Sequence, residues 1–180
     1  MFNIFKPDDG FFFPYTKDAF TLYKQVTRQY KEIKVLNYVN QFVPEKIARE
    51  VQISSSNRSH STNKIYFLKQ LLHWFKKDFM KWMNKSTSCE RCKKPMYFQY
   101  IQGNSWKLRA TENYSCSICK SQIIFPRYGV IEKIADYRIG RCSEWAILFG
   151  AMLNSLSIET RIVHDFLDHC WNESRIDGKW

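Results

Sequence analysis

Five of the six cysteines in this 180-residue chain fall into two arrangements with different chemistry. Cys89-Glu90-Arg91-Cys92 and Cys116-Ser117-Ile118-Cys119 are C-x-x-C pairs with 23 residues between them. Each pair can present two sulfurs from one tight turn, and two pairs supply the four soft ligands of a tetrahedral zinc site. Four thiolates would close that site, so its Zn2+ would be structural and its binding energy would act as folding energy. Two disulfides or four free thiols are the other readings, the first disfavoured in a reducing compartment. Cys142 stands apart in Gly140-Arg141-Cys142-Ser143-Glu144-Trp145, and His169 follows 27 positions later.

The pattern after Cys142 predicts a helix, so the thiol sits at or near a helix N-terminus. Unpaired backbone N–H groups and the helix dipole there favour a thiolate. Taken alone, such a cysteine is more often a buried core residue, and a lone histidine more often a satisfied core histidine. Together they have the chain order of a Cys–His hydrolase site, with a nucleophile at a helix start and a strand bearing its base. Such a site needs a third group to orient the imidazole, and no sequence neighbour supplies it. Cys170 falls on the strand face opposite His169 and reads as an inert apolar residue. His60, His73 and His164 carry no partner signature.

These residues need elements to position them. Thr16 can cap a helix with apolar positions at Ala19, Leu22, Tyr23, Val26, Tyr30 and Ile33. Pro44 suits the first turn of a short second helix through Ile47, Ala48 and Val51. Ser54 to Asn63 is polar and serine-rich and reads as a linker or mobile loop. The clearest helix places Phe67, Leu68, Leu71, Leu72, Phe75, Phe79, Trp82 and Met83 on one stripe. Between the C-x-x-C pairs, Met96–Ile101 and Trp106–Asn113 predict a hairpin turning at Gly103-Asn104. Ile123–Tyr128 leads out of that lobe. Beyond the Cys142 helix, Glu159–Phe166 and His169–Glu173 read as strands, and Asp177-Gly178 as a hairpin turn into a third strand beginning at Lys179.

Composition adds bounds. The length suits one domain with a small appendage. Aromatics make up 17% of the chain, which suits a compact core or a groove that stacks flat ligands. The net charge of +11 is uneven: residues 1–135 hold 23 Lys/Arg against 10 Asp/Glu, and residues 136–180 hold 5 against 7. The basic surface therefore lies outside the Cys142–His169 segment. It fits nucleic acid, anionic lipid or an acidic partner, and equally a plain solvated surface. The first residues lack a secretory apolar stretch and no apolar run could cross a bilayer, so no membrane insertion is expected. The expected location is the cytoplasm, with the nucleus as a second compartment.

Four blocks carry a family resemblance over about residues 64–180. They are Leu71–Trp82 running into Cys89, the two C-x-x-C knuckles, Phe125-Pro126-Arg127-Tyr128 with Gly140–Ala146, and Asp168-His169-Cys170-Trp171-Asn172-Glu173. In order, spacing and content this region resembles the cytosolic peptide:N-glycanases of the transglutaminase-like superfamily. The resemblance implies an α+β fold: a papain/transglutaminase-like core with a small zinc-binding β lobe at about residues 86–124. Residues 1–63 would form N-terminal helices and a linker ahead of a catalytic core at 64–180.

The resemblance also implies roles. Cys142 would be the nucleophile, His169 the general base, and Cys89, Cys92, Cys116 and Cys119 the zinc ligands. Trp171 and Glu173 would line the substrate cleft, with Arg141, Glu144 and Trp145 as scaffold. The reaction would cleave the amide between Asn and the first N-acetylglucosamine of N-glycans on misfolded glycoproteins, leaving Asp, in endoplasmic-reticulum-associated degradation. A ubiquitin-receptor shuttle and the proteasome would be partners. Ser143 and Ile147 depart from the family's usual residues. The family's third triad member, an aspartate in a Trp-x-His-x-Asp pattern, would follow the tryptophan matching Trp180, so residues 1–180 are expected to be weakly active or inactive. Residues 1–63 are too short for the ubiquitin-associated-type module of some members. The alternative is a catalytically inactive binding module of the same fold, as in DNA damage recognition proteins. The acidic balance around Cys142 and His169, and the retention of both, argue against a nucleic-acid partner.

Overall fold

The computed structural model describes residues 12–56, 61–84, 88–165 and 169–180. Four helices open the chain: α1 (Phe12–Gln29), α2 (Ile33–Asn40), α3 (Glu45–Ser56) and α4 (Ser61–Trp74). The expected first helix thus starts earlier and stops sooner. Ile33 begins a separate helix, because the chain turns at Gln29 to Glu32, where Glu32 N–H bonds the Gln29 carbonyl at 3.0 Å. Much of the expected serine-rich linker is helical, as the end of α3 and the start of α4; residues 57–60 lie outside the described part.

The strongest apolar stripe forms α4 and then widens into a π-turn at Phe75–Phe79. Phe67, Leu71, Phe75 and Phe79 recur every fourth residue and are all buried. The helix ends there, short of the expected Trp82 and Met83. Met80 turns extended, and its N–H closes on the Phe75 carbonyl at 2.8 Å. Lys81–Trp82 then forms β1, which pairs in parallel with β5 (Ile139–Gly140). That pairing sets Trp82 opposite Gly140, two residues before Cys142.

The cysteine lobe is a three-stranded antiparallel sheet in the order β2 (Met96–Ser105), β3 (Leu108–Cys116), β4 (Gln122–Tyr128). The expected hairpin is present, and Ile123–Tyr128 joins it as a third strand instead of leaving the lobe. Along β3, Ala110, Glu112, Tyr114 and Cys116 are buried in strict alternation, as a sheet with one covered face requires. The edge strand β2 is exposed along most of its length, including Tyr97, Phe98, Tyr100 and Ile101.

Helix α5 (Ile131–Tyr137), which the sequence reading left out, leads through β5 into α6 (Cys142–Ser155). Helix α6 is the spine of the core. It buries Ile147, Leu148, Ala151, Met152 and Leu153 against Val26, Val35, Val39, Phe67 and Phe75. The N-terminal helices therefore share one core with α6. Tyr30 donates its hydroxyl to the Ile147 carbonyl at 2.9 Å, and Gln29 donates its amide to the Gly129 carbonyl at 2.9 Å. Strands β6 (Thr160–His164) and β7 (Cys170–Ser174) form an antiparallel pair packed on α6. Asp177 and Gly178 both take positive φ, 50° and 83°, in the tight turn that the sequence predicts. An isolated Ile176–Lys179 bridge closes it in place of a third strand.

Candidate active site and metal centre

The four knuckle cysteines converge. Their sulfurs all lie within 4.8 Å of one another, with Cys89–Cys119 at 3.4 Å and Cys92–Cys116 at 3.5 Å. Lys93 and Lys120, each just past a C-x-x-C pair, take positive φ (60° and 59°). Their N–H groups return to the carbonyls of Cys89 and Cys116 at 2.8 and 3.0 Å. Each pair is thereby wrapped into a knuckle with both sulfurs on one side. Ser121, which the sequence reading passed over, places its hydroxyl 2.9 Å from the Cys89 sulfur and 3.3 Å from that of Cys119. Hydrogen bonding from Ser121 is the main reason that both thiols sit below the ordinary thiol range, Cys89 at about 6. Four convergent sulfurs, two of them easily ionised, fit a soft divalent metal ion. Among the described residues none of the six cysteines is in a disulfide.

The second centre gathers at the start of α6, where Arg141 is the N-cap and Cys142 the first helical residue. Gly140 lets the chain enter here, since a Cβ on it would come 2.4 Å from the Glu144 Cβ. Glu144 reaches back and accepts the Arg141 backbone N–H at 3.0 Å. It is also held by Arg109, and by Arg127 Nε at 2.9 Å. Glu112 on β3 accepts both terminal nitrogens of Arg141, at 2.5 and 2.7 Å, and Arg127 at 3.1 Å. Arg109 and Arg127 both donate to the Ser143 hydroxyl, at 3.1 and 2.9 Å. Glu112 and Glu144 are 3% and 1% exposed, so these pairs are buried on the carboxylate side. Three guanidinium groups against two carboxylates leave positive charge in excess beside Cys142, the kind of setting in which a thiol becomes a nucleophile. Arg141 and Glu144 were expected as scaffold, but Glu112 and Arg109 were missed. The available signal was an acidic residue at an inward-facing position of an alternating strand.

A groove of about 330 Å³ opens over this helix start. Cys142 and His169 both line it, with Trp82, Trp145, Cys170 and Trp171. The sequence-predicted pair is therefore on one cleft. His169 sits at the entry to β7, where its N–H donates to the Asp165 carboxylate at 2.8 Å and its carbonyl accepts the Asp165 N–H at 2.9 Å. Its ring lies 6.0 Å from that of Trp171. Trp145, expected only as scaffold, is a wall of the groove and packs edge-on to Trp82 at 5.9 Å. Glu173, expected to line the cleft with Trp171, is not among the lining residues. It pairs with Arg161 on β6, which holds its carboxyl below the ordinary range. Asp168, part of the quoted motif, lies outside the described residues.

Cys170 corrects one expectation. It is on the strand face opposite His169, as read, and is 4% exposed. That face looks onto the start of α6 because β7 packs across the helix. Its thiol interacts with the ionisable groups of its neighbours Cys142 and Tyr23. The Cys142 contact, followed by burial, pushes the Cys170 thiol far above its ordinary range.

The profile of the transglutaminase-like superfamily matches residues 97–180. The chain is 38% identical over 113 residues to the peptide-N(4)-(N-acetyl-beta-glucosaminyl)asparagine amidase of Caenorhabditis elegans, covering 59% of this chain and 18% of that protein. It is 35% identical over 115 residues to the amidase of that name in Yarrowia lipolytica, covering 60% and 32%. In Gallus gallus the identity is 30% over 159 residues, covering 84% and 24%. The chain spans under a third of the length of these curated relatives. No helix among the described residues is long and apolar enough to cross a membrane.

Proposed function

We propose, for a chain whose residues 97–180 match the transglutaminase-like superfamily, a thiol amidase of the peptide N-glycanase type. Its substrate would be glycosylated asparagine on misfolded glycoproteins, its setting the cytoplasm or nucleus, and its role endoplasmic-reticulum-associated degradation. The observation that carries this reading is the meeting of Cys142 and His169 on one aromatic-walled groove, in a chain homologous to such amidases over more than half its length.

The Cys142 sulfur attacks the side-chain carbonyl carbon of the Asn. The backbone N–H groups at the start of α6 are donors for the developing oxyanion. Imidazolium at His169 gives its proton to the departing glycosylamine, and the neutral ring then takes a proton from water as it attacks the thioester. The peptide is left with Asp and the glycan leaves whole. Trp171 would support the sugar ring, since flat apolar faces stack on aromatic rings. Glu173, through its pair with Arg161, would set the pose of β7 beside it. The four knuckle cysteines would hold a structural Zn2+ that ties the two ends of the lobe together. A ubiquitin-receptor shuttle and the proteasome remain the partners that this reading implies.

The test is mass spectrometry of an N-glycopeptide incubated with the chain and with Cys142→Ala. Slow conversion of the glycosylated Asn to Asp, lost in the variant and faster in a chain extended through the strand after Trp180, is the expected result. Equal conversion by both proteins would remove Cys142 from the chemistry. No conversion by this chain, nor by one extended through the strand after Trp180, would overturn the amidase reading.

A further inference from the structure

The contact between Cys142 and Cys170 goes beyond the hydrolytic reading and does not depend on it. Both residues line the same groove, one at the start of α6 and one on β7, which packs on that helix, and their side chains interact. Their access to solvent differs. Cys142 is half-buried, whereas Cys170 is 4% exposed. A dissolved oxidant meets the first sulfur more readily than the second. Cys170 is also held in place by its strand, where it pairs with His164 in the β6–β7 ladder. The arrangement has the parts of a peroxide-sensing thiol pair: an accessible sulfur in an electropositive setting and a more shielded one on the same groove.

We propose that Cys142 and Cys170 are an oxidation site at which a hydroperoxide converts the two thiols into a reversible intramolecular disulfide. The Cys142 thiolate attacks one peroxide oxygen; an S–O bond forms, the O–O bond breaks, and the leaving hydroxide is protonated to water. Cys142 is then a sulfenic acid. The Cys170 sulfur attacks the Cys142 sulfur; an S–S bond forms, the S–O bond breaks, and the second hydroxide takes the Cys170 proton and leaves as water. Two electrons pass from the sulfurs to one peroxide, and two waters are released. A small dithiol returns both thiols by exchange. While the bond stands, the groove has no thiol nucleophile, and Cys142 is kept from irreversible oxidation to sulfinic and sulfonic acids.

The experiment treats the whole, metal-loaded chain with hydrogen peroxide, blocks remaining thiols by alkylation, digests without reductant and maps the peptides by mass spectrometry. The expected main product at Cys142 is a peptide joined to the one bearing Cys170, recovered as two free peptides after dithiothreitol. Cys170→Ser and Cys170→Val should each abolish the joined peptide. In both variants at least tenfold less Cys142 thiol should be recovered by reduction, because it passes on to sulfinic acid. Circular dichroism and metal content matching the parent show that each variant is folded. Cys142 found as sulfinic acid in the parent, or joined to a knuckle cysteine, or Cys170 fully alkylated after peroxide, would overturn the proposal. The readout needs no amidase activity, so failure of the hydrolytic reading and failure of this one are told apart.

Discussion

Glu112 on β3 grips the guanidinium of Arg141 with both carboxylate oxygens, and Arg141 is the residue before Cys142. The same strand ends in Cys116, a member of the four-sulfur cluster. One strand thus carries a candidate metal ligand at its end and the anchor of the candidate nucleophile at its middle. Replacing Glu112 by Gln should cost about 2 kcal/mol of stability, because it leaves the half-buried guanidinium groups of Arg141 and Arg127 short of a partner. Denaturant unfolding of the variant against the parent measures it.

The same carboxylate predicts an acid limit. Burial pushes the Glu112 carboxyl up, but hydrogen bonds from Arg141 and Tyr114 overcome this and hold it below its ordinary range. A carboxylate depressed on folding stabilises fully above its unfolded value, about 4.3, and loses that contribution as pH falls through the lower folded value. The parent should therefore lose stability as pH falls below about 4, and Glu112→Gln should show a shallower loss over the same range. Thermal unfolding at a series of pH values checks the difference in slope.

Metal content is a direct readout of the lobe. The purified chain should carry one zinc, and Cys116→Ser should lose it. Because ligand binding is coupled to folding in such sites, a strong chelator should weaken the near-ultraviolet signal of Tyr114 and its neighbours in the lobe. Zinc in the chain at far below one equivalent, with the lobe still folded, would refute a structural metal.

Gly140 faces the Glu144 Cβ so closely that a methyl group cannot enter without moving the helix start. Gly140→Ala should destabilise by about 2 kcal/mol through overpacking. If Cys142 is the nucleophile, the variant should also lose turnover out of proportion to its folded fraction. Parallel unfolding and glycopeptide assays separate the two effects.

The N-terminal helices should report on α6 as well. Tyr30→Phe removes the hydroxyl that bonds the Ile147 carbonyl and should cost about 1 kcal/mol. An unchanged unfolding midpoint would mean that the bond contributes nothing.

The site was legible where chemistry and local period coincide. Two C-x-x-C pairs, a helix opening at Cys142 and an alternating strand after His169 announce themselves through spacing, and the structure gathers them as two clusters. What stayed hidden depends on which face meets which element. Cys170 was placed on the correct strand face, yet nothing local says that this face looks onto the start of α6. Glu112 sits in a polar-looking segment, and its only local signal is that it shares the alternating face of Ala110 and Tyr114. The stripe through Trp82 and Met83 continues the helical period past a π-turn, so periodicity alone carried the helix too far. Helix α5 is seven residues long, too short for a period to stand out.

The bare outer strand of the cysteine lobe has a consequence for handling the protein. Tyr97, Phe98, Tyr100 and Ile101 stand 47–63% exposed on β2, beside a row of backbone groups that no further described strand covers. An edge of this kind is a template for stray pairing between molecules, and charge is the usual guard. Exposed Arg91, Lys93 and Lys94 precede the strand and exposed Lys107 follows it. Solubility at working concentration therefore rests on like-charge repulsion at this margin. High salt, or acetylation of those lysines, should bring the solution closer to precipitation well before the fold itself is lost.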